Sequence, residues 1–167
     1  WNWKRNGGGV STGPLIFKQA ANLTYAASQS LPLRLTEVGT IYSGGQAGIS
    51  NTATSAAWAA DLSMTFASAG GAGVNYHSST GSQYSLVKQN ADLSWSPMPQ
   101  FYAVYLFSKM QGMNILPISV AGQANVRAMA AVGGDGKTRI MVANMDPIHS
   151  AKVTLAQSPG SWTSASV

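Results

Sequence analysis

One glutamate occurs among the 167 residues of this chain, Glu37, and it stands in the stretch RLTEVGTIYSGG, residues 34–45. Leu33 and Leu35 alternate with Arg34 and Thr36 before the glycines begin, which predicts a short strand with Glu37 at its C-terminal end. A carboxylate there, in front of a loop rich in Gly and Ser, occupies the position where barrel and open-sheet α/β enzymes place catalytic groups. It can serve as nucleophile, general base or ligand, and position does not choose among them. The plain alternative is a carboxylate that caps the loop or pairs with Arg34. A second titratable side chain, His77, ends the apolar stretch GVNYH (73–77), with Asn75 close by. The other acids are Asp61, Asp92, Asp135 and Asp146, and the other histidine is His149, expected in a solvent-exposed turn. These scattered groups form no metal-ligand spacing, so neither a metal nor a cofactor is expected.

Positioning Glu37 and His77 requires strands with helices between them. Residues 1–13 read as a Trp-, Gly- and Ser-rich loop, followed by a helix from Pro14 that Pro32 ends. After the strand at 33–37 and the loop Gly39–Gly48, Ser50 or Asn51 is a good N-cap for the Ala-rich helix TATSAAWAADLSMTFASAGG. The strand at 73–77 then leads into a long polar loop, Ser78–Ser96, of a length that usually carries function. A third helix runs from about Pro99 to Gly112, and its aromatic run Phe101–Phe107, like Trp58, is expected in the core. Beyond it ILPISVAG, VRAMAAVG, TRIMVANM and AKVTLAQ tend to alternate, with GGDGK as a hairpin turn, so residues 115–156 predict an antiparallel sheet.

Strand–helix alternation implies parallel strands joined by crossovers, whereas the tail is all-β, which puts a domain boundary near residue 113. Two parallel strands do not make a sheet with both faces covered, so the first part is expected to belong to something larger. Taken literally as a complete protein, the chain is expected to expose sheet edges, aggregate and be inactive.

Composition excludes several classes. Apolar residues at 45% with 18 glycines and 7 prolines fit a globular chain with many turns. No apolar run is long enough for a membrane span, and no signal-peptide core precedes the first helix. The net charge of +5 rests on ten Lys and Arg spread along the chain, only Lys4 and Arg5 being adjacent, so no nucleic-acid stripe forms. The lack of cysteine removes disulfides and thiolate metal sites without choosing a compartment. Asn22 opens an N-glycosylation triplet inside a predicted helix.

The identities around Glu37 carry more than its position. Glu37 is followed five residues later by Tyr42, then Gly44-Gly45, then Ser50-Asn51-Thr52 opening the Ala-rich helix with Trp58. This order resembles the nucleophile-bearing segment of glycoside hydrolase family 79, the β-glucuronidases and heparanases. PMPQFYAVYLFSKMQG resembles that family's P-x-P-x-[YF] helix, and TRIMVANMD its C-terminal β domain. The resemblance covers roughly residues 33–156 and is clearest from Leu33 to His77.

The resemblance implies a fold of α/β plus all-β class: the last two βα units of a (β/α)8 TIM barrel in residues 1–113, then an antiparallel β-sandwich domain in 114–167. It implies a retaining O-glycosyl hydrolase for β-linked glucuronides, with Glu37 as catalytic nucleophile at the end of barrel strand seven. Tyr42 and Tyr84 match tyrosines that hold the uronic-acid carboxylate. The backbone at Ser43 and Gly44 can approach the sugar closely, or it forms a plain turn. His77 either lines the sugar pocket or is a hydrogen-bonded structural histidine. A retaining mechanism needs a second carboxylate about 5–5.5 Å from the first. The family's acid/base glutamate has no counterpart here, so the missing N-terminal part of the same enzyme is the expected partner, alongside the carbohydrate substrate. Two other readings stay open: a heparanase-like endo enzyme on acidic glycans, and a non-catalytic carbohydrate-binding or structural remnant. Neither nucleic acid nor membrane is an expected partner, and secretion is implied by the family alone.

Overall fold

The computed structural model describes residues 12–122, 124–156 and 166. The Trp-rich loop expected over 1–13 therefore lies almost wholly outside the described residues. In chain order the elements are α1 (Thr12–Ser28), β1 (Arg34–Val38), α2 (Ala53–Ser68), β2 (Gly73–Tyr76), β3 (Val87–Gln89), β4 (Trp95–Pro97), α3 (Pro99–Ser108), β5 (Asn114–Leu116), β6 (Val126–Val132) and β7 (Thr138–Asn144).

β1 and β2 pair in parallel and are joined through α2. Among the described residues no further strand pairs with either. The tail gives an antiparallel sheet in the order β5-β6-β7. GGDGK turns the β6–β7 hairpin: Gly133 N–H donates to the Lys137 carbonyl at 3.0 Å, and Gly136 adopts φ +71°. Of the four tail strands expected, the last is not formed over 151–156. Alternation supplies two faces but no neighbouring edge, and the turn at Asp146 takes the chain out of the β7 ladder. Asp146 accepts N–H bonds from Ile148 and His149, while Met145 N–H donates to the Asn125 carbonyl at 2.7 Å.

Two further expectations are corrected. Residues 78–96 are not wholly loop: β3 and β4 form a short hairpin, with Lys88 opposite Ser96, Leu93 at φ +66° and Asp92 receiving both the amide and hydroxyl of Ser94. Those Ser94 bonds hold the exposed Asp92 carboxyl below the usual carboxylate range. The N-cap of α2 is Thr52 rather than Ser50 or Asn51, because those two side chains are committed to the preceding loop.

α2 is the central element, buried on two sides. Leu62 and Phe66 pack with Leu35, Val38 and Val74 of the parallel pair. Ala59, Ala60 and Met64 pack with Ala103 and Met110 and with Met129, Ala131, Met141 and Ala143 of the antiparallel sheet. On the side of α3 and the antiparallel sheet, alanines let the backbone of α2 come close to its neighbours, which large side chains would prevent. The second of these clusters draws on residues from both sides of position 113. α3 departs from expectation: Tyr102, Tyr105 and Leu106 are exposed, and only Gln100 and Ala103 are fully buried on that helix. Phe101 stacks on Tyr105, and the Lys109 ammonium lies 4.3 Å over the Tyr105 ring. No helix among the described residues is long and apolar enough to cross a membrane.

Candidate functional site

The site begins with an irregularity in β1. Arg34 and Leu35 pair with Gly73 and Val74, but the next partners are Val38 and Tyr76, so three steps along β1 match two along β2. Strict alternation would put Leu33, Leu35 and Glu37 on one face, against the core. The extra residue lets Val38 take the inward place beside Leu35 instead, and Glu37 turns outward with its side chain 71% exposed.

Glu37 does not pair with Arg34. The guanidinium of Arg34 donates instead to the Ala72 carbonyl at 3.2 Å and to Asn75 Oδ1 at 3.4 Å, lying over Gly73. The partner of Glu37 is His77, whose Nδ1 is 2.7 Å from Glu37 Oε1. His77 is placed by the same ladder, since its backbone N–H donates to the Val38 carbonyl at 2.8 Å. The ends of consecutive parallel strands thus bring together two groups 40 residues apart in sequence.

Behind the imidazole stands Tyr84, edge-on to it with ring centroids 5.4 Å apart. Tyr84 is only 7% exposed. Its hydroxyl accepts the Gly44 N–H at 3.2 Å, and its ring fills the space beside Gly39 and Gly45. Residues 43–45 run through three consecutive left-handed conformations, φ +64°, +92° and +84°. Glycine suits the last two, and at Gly45 a Cβ would also come within 2.9 Å of Ser50 and Tyr84. Ser50, fully buried, ties the far side of the loop by receiving Gln46 N–H at 2.9 Å and the Thr40 hydroxyl at 2.7 Å.

The six residues singled out from the sequence are therefore distributed unevenly. Glu37, His77, Tyr84 and Gly44 form one connected group. Ser43 forms the exposed start of the left-handed turn, and Tyr42 is 90% exposed, making no hydrogen bond or ring contact with the described residues. Thr40, not singled out, and Ser50, named only as the start of the helix, fix the loop; their signal is a pair of hydroxyls bracketing a glycine-rich stretch.

The aspartates lie elsewhere. Asp61 is buried in α2 beside Arg127 of β6, Asp135 pairs with Arg139 at 2.9 Å, and Asp146 holds the turn after β7. Among the described residues no group of three or more His, Asp or Glu could hold a metal ion. Chemically, Glu37 is an accessible carboxylate with one oxygen engaged by an imidazole, its side chain 71% exposed. Tyr76, next to His77, is not available for proton transfer: burial pushes its phenol well above the usual range, and it donates to the Ala59 carbonyl at 2.8 Å. No protein-family model matches the chain, and no curated protein matches it.

Proposed function

We propose that this chain carries the nucleophile-bearing portion of a retaining glycoside hydrolase acting on β-linked glucuronides, with Glu37 as nucleophile. In this reading β1 and β2 are the last two strands of a (β/α)8 barrel, and β5–β7 belong to a β-sandwich that follows it. The observation that carries it is the place of Glu37: a solvent-facing carboxylate turned out of the core by a bulge, at the C-terminal end of a parallel strand. The order of residues from Leu33 to His77, resembling glycoside hydrolase family 79, supplies the reaction class.

Glu37 attacks the anomeric carbon to form a glycosyl-enzyme, and a glutamate from outside this sequence protonates the leaving oxygen and then activates water. The sugar carboxylate lies against the loop carrying Tyr42, Ser43 and Gly44, where the hydroxyls of Tyr42 and Ser43 are donors. Tyr84 accepts from Gly44, so its own hydroxyl proton remains free to be donated. The enzyme needs no cofactor, works with the remainder of its barrel as partner, and is secreted.

The test is made on the parent enzyme that contains this segment. A 2-deoxy-2-fluoro glucuronide with a good leaving group should label Glu37 covalently, and Glu37→Gln should abolish nearly all turnover. Labelling at another carboxylate, or a near-normal Glu37→Gln enzyme, overturns the reading. Turnover of a small aryl glucuronide against a long acidic glycan separates exo from endo action.

A second reading, a non-catalytic carbohydrate-binding segment, is favoured by one observation: among the described residues no second carboxylate accompanies Glu37. Glucuronide binding by a parent with no turnover would support it.

A further inference from the structure

We propose that His77 is the positioning residue of Glu37, holding one carboxylate oxygen so that the other faces the anomeric carbon, and is not a sugar-lining residue. This rests on the glycosidase reading for its consequence, but its geometry stands apart from that reading.

The contact fixes the tautomer. An ionised carboxylate only accepts, so the 2.7 Å approach of His77 Nδ1 to Glu37 Oε1 requires the proton on Nδ1.

Two contacts hold the ring in that pose. The His77 backbone N–H is bound to the Val38 carbonyl, the residue next to Glu37. The ring edge rests against Tyr84, and Tyr84 is itself locked by Gly44 N–H and by its close fit to Gly39 and Gly45. The side chain of Glu37, by contrast, is largely exposed and has no other hydrogen-bond partner among the described residues. Without His77 the carboxylate would sample several rotamers, and a misplacement of about 1 Å costs on the order of 100-fold in rate. His77 thus supplies order that the bulged strand end does not.

Rescue distinguishes positioning from lining. Asparagine places an N–H donor near the Nδ1 position, whereas alanine places none and glutamine places it one bond further out. In the parent enzyme, His77→Ala should lower kcat about 100-fold with KM changed less than about 2-fold. His77→Asn should recover to within about tenfold of wild type, and His77→Gln should not. A rise in KM at constant kcat, or equal loss in the asparagine and alanine variants, overturns the proposal.

The geometry is read separately by histidine nitrogen NMR, with the His77→Asn spectrum as the assignment control. Wild type should show His77 protonated at Nδ1, and Glu37→Ala should move the proton to Nε2. A His77 protonated at Nε2 alone in wild type overturns the proposal even if a variant fails to fold. If Glu37→Gln stays active while the Nδ1 proton is seen, the glycosidase reading falls and the pairing stands. If Glu37→Gln is inactive while Nε2 carries the proton, the positioning role alone falls.

Discussion

Arg127 of β6 lies 3.6 Å from Asp61 of α2, its Nε facing a carboxylate that is 1% exposed. The pair joins the helix that backs the parallel strands to the antiparallel sheet, across the same boundary that the methionine- and alanine-rich core spans. Thr65 adds a hydroxyl to the same carboxylate at 3.3 Å.

Removing the cation should be costly. Arg127→Met keeps the apolar stem but takes positive charge away from a buried carboxylate, and breaking such pairs costs about 3–5 kcal/mol. Arg127 is one-third exposed, which reduces the expected loss to about 2 kcal/mol. Urea unfolding of the protein carrying the substitution measures it, and a change below about 0.5 kcal/mol would show that the pair contributes little.

The loop after Glu37 offers a matched comparison. Gly45 and Gly48 both have positive φ, +84° and +77°, but a Cβ at Gly48 meets nothing within 4 Å. Gly48→Ala should therefore cost only backbone strain, about 1 kcal/mol. Gly45→Ala adds a clash with Ser50 and Tyr84 and should cost about 3 kcal/mol in total. It should also displace Tyr84 from His77, read as a change in the His77 ring shifts. Equal costs at the two positions would mean that the loop yields freely around Tyr84.

Acid should act on the turn after β7. Backbone N–H groups of His149 and Ile148 hold the Asp146 carboxyl down to about 2. With the folded value below the unfolded one, the unfolded chain binds more protons in between. The carboxylate's contribution is thus complete above about pH 4 and is lost as pH falls through about 2. A carboxyl carbon titration of Asp146 should show that midpoint, and Asp146→Asn should flatten the acid limb of stability; a midpoint near 4 would show that the N–H bonds are not made in solution.

The helices and the strands β1, β2, β6 and β7 were legible because local signals agreed: proline starts and stops, alternation, and GGDGK at the hairpin. What local signals could not supply was register. Strict alternation puts Leu33, Leu35 and Glu37 on one face, and only pairing with β2 reveals the extra residue that turns Glu37 outward. Its contact with His77 had a signal, since both were placed at the ends of consecutive parallel strands, but adjacency of strand ends does not fix side-chain direction. The hairpin β3–β4 was hidden by polar composition and by Pro97. Residues 151–156 failed in the opposite sense, with alternation present and no edge to join. The aromatic run of α3 misled because hydrophobic type says nothing about which side of a helix finds a neighbour.

The core between α2, α3 and the antiparallel sheet holds Met64, Met110, Met129, Met141 and Met145, all buried. Thioether side chains are unbranched and adapt their shape, so this seam keeps contact when its two walls shift slightly against each other. It is also a chemical record of opening. Sulfoxidation of these five methionines by peroxide requires the helix and sheet layers to part, so their oxidation rate clocks that separation from within.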